Sequence, residues 1–411
     1  MNAPGSLETL RRRNRGLVLR AVQSGNATSR VDIVRATGLS RTTVSSLVNE
    51  LLAEGVLSES TDRGGVPPAG QTGRPPTRLT LEPSGGAVLG IHLRHDGIRL
   101  ALADLAGTVL AETLVDLDVD HRADAALSFV EDATSELLDH AGTARAELLG
   151  AGVAISSPVP TLPHHGPDML ETWHDIDVAD AVGQRLGVPV QVGNDANLGA
   201  TAERFFGAAR TTRNLVYVML AEGVGAGLFL DGRPYFGAKG VAGEFGHVVV
   251  APGGRVCRCG NRGCLETVAG AGALVSAMPV RPGGQAAELD DVLAACRAGD
   301  PGALRLVTDA GRAVGTALAG VCTMLDPDLV VIGGRTAAAG TALLDGIGET
   351  LRRGVPPTDE ALVPVVAGEL GARAEVLGAV ALAIAGAPLS AAHDGLEAID
   401  PAPRYRRMST T

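Results

Sequence analysis

The residues best suited to chemistry are three cysteines and a histidine at short spacing. Cys257, Cys259 and Cys264 fall within eight residues of a glycine-rich stretch, and His247 lies ten residues before the first of them. Three thiolates and one imidazole complete a tetrahedral zinc site. Because protein ligands would fill all four positions, the pattern predicts a structural zinc ion without an open hydrolytic position. The alternative is a set of three reduced surface thiols.

A second polar cluster follows a predicted strand over residues 188–192. It reads Gly193-Asn194-Asp195-Ala196-Asn197, and ligand sites of α/β proteins gather at the carboxyl ends of strands. Asn and Asp can bind sugar hydroxyls, and Asp can also act as a general base. The alternative is simple capping of the following helix, and both roles can hold at once.

Length and composition describe a globular protein of more than one domain. The 411 residues are 45% apolar and 20% charged, which argues against a largely disordered chain. An apolar run of about 18 residues is absent, which predicts no membrane span. Residues 1–10 lack the layout of a secretion signal, so the expected location is the cytoplasm. Five cysteines are too few for a disulfide scaffold, and Cys296 and Cys322, in apolar helical stretches, are predicted to be core residues.

Charge is distributed unevenly along the chain. Residues 1–80 hold eleven Arg and six acidic residues, which give this segment a net charge of +5. Because the whole chain has a net charge of −11, the remaining residues have a net charge of −16. A basic head on an acidic body is typical of a nucleic-acid-binding domain joined to a different module. The alternative is a basic tail without a partner.

The basic head has the pattern of a helix-turn-helix. Predicted helices cover residues 7–22 and 28–36, and a turn with Gly38 leads to Ser40 as the cap of a third helix. In that third helix an apolar stripe recurs at helical spacing, and Gly55 ends the helix. The opposite face carries side chains suited to phosphates and base edges, and we predict that these contact DNA: Arg41, Thr42, Ser45, Ser46 and Asn49.

Two short predicted strands, residues 56–59 and 78–81, complete a winged helix. The loop between them is rich in Gly and Pro and includes Arg74. An Arg on such an extended loop can enter a narrow minor groove, and the alternative is a flexible linker. The predicted DNA-binding domain therefore spans residues 1–62, with the wing completed by 77–82, and residues 63–84 form the wing loop and linker.

From residue 85 onward, apolar strands alternate with glycine-rich turns and helices. Strands are predicted at 87–93, 97–104 and 108–112, and the same order recurs at 215–220 and 226–230, joined to the next strand through Asp231-Gly232. This repetition predicts an internally duplicated α/β body of two lobes around a cleft, over residues 85–385. Residues 386–411 are predicted to be a disordered tail.

These motifs together resemble a known family. His247, within Gly-Glu-Phe-Gly-His, followed by Cys-x-Cys-Gly-x-x-Gly-Cys-Leu-Glu, resembles the ROK family of repressors, open reading frames and sugar kinases, and the winged helix resembles its NagC/XylR-type transcriptional regulators. The resemblance implies a two-lobed, actin-like ATPase or sugar-kinase fold. It also implies that sugar contacts fall on Asn194, Asp195, Glu244, His247 and Glu266, with Asp195 at the position of the kinases' catalytic base.

The sequence departs from the kinases of that family on the nucleotide side. The kinases' Asp-x-Gly-Gly-Thr loop is replaced by His92-Leu93-Arg94-His95-Asp96, where two large side chains would block phosphate and Asp96 would repel it. The second phosphate loop carries Glu222 where the kinases have Thr. Ser156-Ser157-Pro158 replaces Pro-Gly-Pro beside the sugar.

The sequence therefore predicts a cytoplasmic, sugar-responsive transcriptional regulator that has lost kinase activity. It would bind double-stranded operator DNA as a homodimer or tetramer, most simply as a repressor, with zinc as a structural cofactor. The alternatives are an ATP-dependent sugar kinase with an appended DNA-binding domain, and a binding module for which zinc itself is the signal.

Overall fold

The computed structural model describes the chain in several stretches. The longer ones are residues 29–53, 55–60, 78–82, 85–157, 176–278, 287–356 and 362–387, and the shorter ones are 171–173 and the helical positions 11, 14–15, 17–19 and 21–22. The predicted wing loop with Arg74 and almost all of the predicted tail therefore lie outside the described residues. None of the described helices is long and apolar enough to cross a membrane.

The described residues of the head include two consecutive helices joined by a short turn, which agrees with the predicted helix-turn-helix. Helix α1 (Arg30–Thr37) begins at Ser29, whose side chain accepts a hydrogen bond from the Asp32 N–H, and ends at Gly38 with φ of 70°. Helix α2 (Arg41–Ala53) follows, and the Thr43 N–H donates to Ser40 Oγ at 3.1 Å. These caps satisfy backbone groups that the first turns leave unpaired.

One face of α2 is buried and the other is exposed, as the stripe predicts. Val44, Leu47, Val48 and Leu51 are buried in the head's core. Strands β1 (Leu57–Ser60) and β2 (Arg78–Leu81) pair antiparallel beside them. The described elements thus agree with a helix-turn-helix followed by a two-stranded wing.

The body contains two five-stranded sheets of identical topology. The first has the order β5-β4-β3-β6-β7 and the second β10-β9-β8-β11-β12. In each sheet the first three strands of this order pair antiparallel with one another, and the last three pair parallel. The shared pattern confirms the predicted duplication. The first sheet comprises β3 (Ala87–Arg94), β4 (Gly97–Asp104), β5 (Val109–Asp116), β6 (Leu148–Ile155) and β7 (Val190–Asn194), and the second β8 (Leu215–Leu220), β9 (Val224–Leu230), β10 (Arg233–Pro234), β11 (Leu329–Gly333) and β12 (Val365–Ala367).

Helices cover the outer face of each sheet. On the first lobe these are α3 (Ala123–Ala141) and α4 (Val178–Leu186). On the second lobe they are α6 (Glu266–Ala269), α7 (Ala271–Ala277), α8 (Leu289–Arg297), α9 (Pro301–Leu325) and α10 (Thr341–Gly354). Trp173 is buried in the first lobe, where its Nε1 donates to the Val119 carbonyl at 2.8 Å. Cys296 and Cys322 are buried in the second lobe, as predicted.

Two further helices lie between the sheets, α5 (Asp195–Phe205) and α11 (Ala374–Gly386), and their residues share a core with both lobes. Glycines permit very close backbone approach there. A Cβ on Gly378 would lie 2.0 Å from the Leu198 carbonyl oxygen, and one on Gly152 would lie 2.0 Å from that of Ala379. The cleft between the lobes opens at the N-terminal ends of these two helices.

Gly378→Ala tests this close packing. A methyl group there must push α5 and α11 apart, so we expect a loss of roughly 1–3 kcal/mol of folding free energy. Gly320→Ala is the matched control, because Gly320 is an exposed residue of α9 whose Cβ would meet nothing within 4 Å. That change should stabilise by about 0.5–1 kcal/mol. Thermal denaturation followed by circular dichroism measures both, and equal effects of the two substitutions would contradict the packing argument.

Candidate functional site

A cleft between the two lobes collects all five predicted sugar-contacting residues. The first lobe contributes Asn194 and Asp195, and the second contributes Glu244, His247 and Glu266. Other lining residues come from the end of β3, from the start of α11 and from the turn after β11: His92, Arg94, Glu375 and Arg335. The structure therefore assembles in one place residues that are far apart in the sequence, from His92 to Glu375.

Asn194 and Asp195 lie at the junction of β7 and α5. The strand covers residues 190–194, two residues later than predicted, since Pro189 has no N–H with which to extend the ladder. Asn194 Oδ1 accepts from the Asn197 N–H at 3.1 Å and so caps α5. Asp195 Oδ2 accepts from Ser156 Oγ at 2.7 Å, and Oδ1 accepts from the Ala196 N–H at 2.7 Å. Capping and placement in the cleft therefore coexist.

Asp195 has the environment of a proton acceptor. Burial raises the pKa of its carboxyl group to about 6, the hydrogen bonds from Ser156 and Ala196 oppose that rise, and the negative charge of Glu244 adds to it. A carboxyl group with such a pKa can exchange a proton near neutral pH or accept a hydrogen bond from a hydroxyl group.

The predicted metal ligands form a cluster with the dimensions of a tetrahedral zinc site. One ligand atom from each of His247, Cys257, Cys259 and Cys264 lies within 4.8 Å of the others. Cys257 Sγ is 3.6 Å from His247 Nδ1, and Cys259 Sγ is 3.7 Å from Cys264 Sγ. Tetrahedral zinc, with bonds of about 2.3 Å to sulfur and 2.0–2.1 Å to nitrogen, imposes separations of about 3.6 Å and 3.8 Å on these pairs. The residues therefore fit the ion.

His247 and Glu266 connect this cluster to the cleft. The Nδ1 atom of His247 faces the thiols, while its Nε2 lies 3.8 Å from Glu244 Oε2. Glu266 begins α6 two residues after Cys264, and Arg258 Nε donates to its Oε1 at 3.0 Å. The Val224 N–H donates to Glu266 Oε2 at 3.2 Å. The loop that carries the cysteines thus also fixes a cleft carboxylate. This role of Arg258 was not predicted, because the cysteine spacing gives no signal for it.

Ion pairs occupy the side of the cleft that corresponds to the kinases' phosphate loops. Arg335 lies two residues after the end of β11, and its Nη1 donates to Asp96 Oδ2 at 2.9 Å and to Glu222 Oε1 at 2.8 Å. Its Nη2 donates to Asp290 Oδ1 at 3.2 Å. Arg94 Nε donates to the other Asp96 oxygen at 3.0 Å. Because Asp96 belongs to the first lobe and Arg335 to the second, this cluster bridges the cleft.

The predicted DNA-contacting residues of the head lie on one side of α2. Arg41, Thr42, Ser46 and Asn49 are exposed, and Ser45 is half-buried. Three of them have partners within the head. Ser46 Oγ donates to Glu50 Oε1 at 3.0 Å, Arg30 Nη2 donates to Asn49 Oδ1 at 3.0 Å, and Thr42 Oγ1 lies 2.8 Å from Ser40 Oγ. Their hydrogen bonds orient the polar face. Arg74 lies outside the described residues.

Asp195→Asn tests the electrostatics of the cleft. The folded-state pKa of about 6 exceeds the ordinary value of 3.8, so wild-type stability falls as pH rises between these values and stays lower above pH 6. Asn cannot ionise and can keep the bonds to Ser156 and Ala196. We therefore expect the free energy of unfolding of the variant to exceed that of wild type by roughly 3 kcal/mol at pH 7–8. The two free energies should become similar near pH 4.

Chemical denaturation at pH 4, 6 and 8 measures the difference. Asp132→Asn, on the exposed face of α3, is the control and should show no such pH dependence. A pH-independent difference for Asp195→Asn would contradict the assigned burial cost.

Comparison with known proteins agrees with this architecture over about nine tenths of the chain. The xylose repressor of Bacillus spizizenii is 28% identical over 382 residues, which cover 90% of this chain and 94% of the repressor. A crystal structure of a ROK family transcriptional regulator, a homologue of Escherichia coli Mlc, superposes with a TM-score of 0.68 at 28% identity, covering 90% of this chain and 95% of that one.

A kinase matches the body over a shorter span. The ROK family glucokinase from Streptomyces griseus, solved with glucose and AMPPNP, has a TM-score of 0.61 and 28% identity, and the match covers 72% of this chain and 99% of the kinase. Residues 88–385 match the ROK family as a whole. This match spans well over half of the sequence, including both sheets, the cysteine cluster and the cleft. The chain belongs to the ROK family.

Proposed function

We propose that the protein is a sugar-responsive, DNA-binding transcriptional repressor. The observation that carries the proposal is the combination, in one chain, of an exposed polar face on α2 with a cleft that keeps the sugar-side residues and has ion pairs on the phosphate side. The near full-length similarity to a xylose repressor supports it, because a kinase of the same family covers only 72% of this chain.

The head, residues 1–62 with the wing completed by 77–82, would bind operator DNA. In this arrangement α2 enters the major groove, and Arg41 and Thr42 at its N-terminal end lie where recognition helices contact base edges. Ser45, Ser46 and Asn49 extend the same face, and Arg74 from the wing loop and linker, residues 63–84, would reach the minor groove. A homodimer or tetramer would match a two-fold operator.

The body, residues 85–385, would bind a sugar or sugar derivative in the cleft. Carboxylates, amides and imidazoles pair well with hydroxyl groups, and five such groups converge there: Asn194, Asp195, Glu244, His247 and Glu266. A sugar that contacts both lobes has different affinities for different lobe arrangements. This difference is what allows it to shift the placement of the heads.

A structural zinc ion would be held by His247, Cys257, Cys259 and Cys264. When bound, it would supply the positive charge that keeps three thiolates together and fixes the tautomer of the histidine. The consequence for this chain is that Nε2 of His247 and the carboxylate of Glu266 would keep fixed positions facing the sugar. With four protein ligands the ion would be a constitutive component and not the signal.

Kinase activity is proposed to be lost. Glu222 stands where a phosphate-binding Thr is expected, and Arg335 joins Glu222 to Asp96 across the space that phosphates would need. Asp195, at the position of the kinases' catalytic base, would then serve in sugar binding. Release of ADP that depends on a sugar and disappears in Asp195→Ala would support instead a sugar kinase with an appended DNA-binding domain.

Operator binding and its sugar response test the proposed function directly. Purified protein is titrated onto DNA from beside its own gene at fixed salt, with a panel of sugars and sugar phosphates. We expect a specific shift that one sugar weakens. A specific shift that no sugar alters would contradict the sugar response, and no shift on any fragment would contradict the regulator assignment.

Arg41→Ala should weaken that binding about tenfold at matched salt, because one groove contact is lost. The control is Arg352→Ala, which removes the same charge from an exposed position on α10 and should leave the affinity unchanged. Equal affinities of wild type and Arg41→Ala would exclude Arg41 from the contact set.

Cys264→Ser tests the metal site. Elemental analysis should find about one zinc per chain in wild type and in Cys322→Ala, a control at a buried cysteine far from the cluster in sequence, and much less in Cys264→Ser. Loss of zinc should abolish the sugar response while operator binding without sugar remains. Retention of a full equivalent of zinc by Cys264→Ser would exclude Cys264 as a ligand.

A further inference from the structure

Among the described residues that line the cleft, His92 alone has a buried side chain with both polar atoms unpaired. It stands near the end of β3, directly across from Ala154 of β6, and only 5% of the residue is exposed. Among the described residues, neither Nδ1 nor Nε2 of its ring has a hydrogen-bond partner. Buried polar atoms in proteins are almost always paired, so such an exception calls for a functional explanation.

The imidazole of His92 is held in its neutral form. Burial, together with the positive charges of Arg94 and Arg99, lowers its pKa to about 3. A neutral imidazole has one N–H donor and one acceptor nitrogen. A sugar hydroxyl has the same two capacities, so the two groups can pair in either tautomer of the ring. A fully ionised phosphate offers acceptors only, so it could accept a hydrogen bond from the protonated ring nitrogen but could not donate one to the other nitrogen.

The charges around His92 also disfavour a phosphate. The three guanidinium groups that line the cleft are each engaged already: Arg94 by Asp96, Arg258 by Glu266, and Arg335 by three acidic residues. His95 pairs with Asp120. Against them stand five lining carboxyl groups, namely Asp195, Glu222, Glu244, Glu266 and Glu375. A dianionic group would therefore find no uncommitted cation among the described lining residues.

We propose that His92 is a specificity-determining residue, which binds a hydroxyl group of an uncharged sugar at the inner wall of the cleft and disfavours the corresponding sugar phosphate. The proposal rests on the proposed sugar-binding function and names the class of its ligand. His92 stands at the first position of the stretch that replaces the kinases' phosphate loop. The proposal gives this residue a role in sugar binding, whereas the sequence alone indicated only that phosphate binding is lost there.

This role also supplies a reason for the sugar to alter the conformation. In the present lobe arrangement both ring nitrogens of His92 are buried, and neither has a partner among the described residues. A sugar hydroxyl pairs with one of these nitrogens only in a lobe arrangement that brings the ring and the sugar together. The sugar therefore has a higher affinity for that arrangement, which is the condition for shifting a conformational equilibrium.

The test measures sugar binding by titration calorimetry on the full chain, with D-xylose, D-glucose, N-acetyl-D-glucosamine and the 6-phosphates of the last two. We expect at least one uncharged sugar to bind, and the 6-phosphate of a hexose that binds to bind at least tenfold more weakly. His92→Phe, a ring without nitrogens, should weaken sugar binding at least tenfold. His92→Gln, which keeps a donor and an acceptor, should stay within about threefold of wild type.

Thermal denaturation and operator binding without sugar serve as folding controls. A purely structural role would change the melting temperature of His92→Phe and leave its sugar affinity equal to that of wild type, which would overturn the proposal. Phosphates that bind as tightly as the sugars, or a panel in which no uncharged sugar binds, would overturn it as well. Sugar binding that depends on His92, in a protein that binds no DNA, would instead contradict the regulator function while this inference stands.

Discussion

The close packing of α5 against α11 between the two sheets is the constraint on which the rest of the body depends. Both helices begin at the cleft, so the positions of Asp195 and Glu375, near their N-terminal ends, follow from it. Tyr217 of β8 reinforces the arrangement, because its hydroxyl group donates to Glu375 Oε1 at 2.9 Å. Its ring also leaves no room for a Cβ on Gly333. The cleft geometry is therefore set by backbone contacts, which tolerate little change, while the residues facing the cleft remain free to diverge.

The two ends of the cleft are held in different ways, and the difference suits a regulator. At one end the cysteine loop positions Glu266 and His247 through short-range contacts within the second lobe. At the other end Arg335 pairs with Asp96 across the lobes, where a kinase needs space for nucleotide phosphates. A partly exposed ion pair of this kind contributes modestly to stability. It can therefore hold one arrangement of the lobes and still yield to a ligand.

Local patterns in the sequence sufficed to predict the helix-turn-helix, the duplicated strand order and the residues of the metal cluster. The apolar stripe of α2 and the short spacing of Cys257, Cys259 and Cys264 are local signals. The stripe is buried in the core of the head, and the three thiols lie together with His247. The five predicted sugar-contacting residues came from family resemblance, and the cleft contains all of them. The ion pairs of Arg335 could not be foreseen, because its partner Asp96 is more than 200 residues away. The unpaired ring nitrogens of His92 could not be predicted either, because they depend on which polar groups surround the ring in the folded chain.

The distribution of aromatic residues has a practical consequence. The chain has a single tryptophan, Trp173, and residues 1–128 contain no Trp, Tyr or Phe at all. Trp173 is buried in the first lobe, with its indole N–H on the Val119 carbonyl. Its fluorescence therefore reports on the body alone, and the head is optically silent. A change in tryptophan emission when DNA is added would therefore report a conformational change in the first lobe. The intrinsic fluorescence can thus be used to measure coupling between the head and the body.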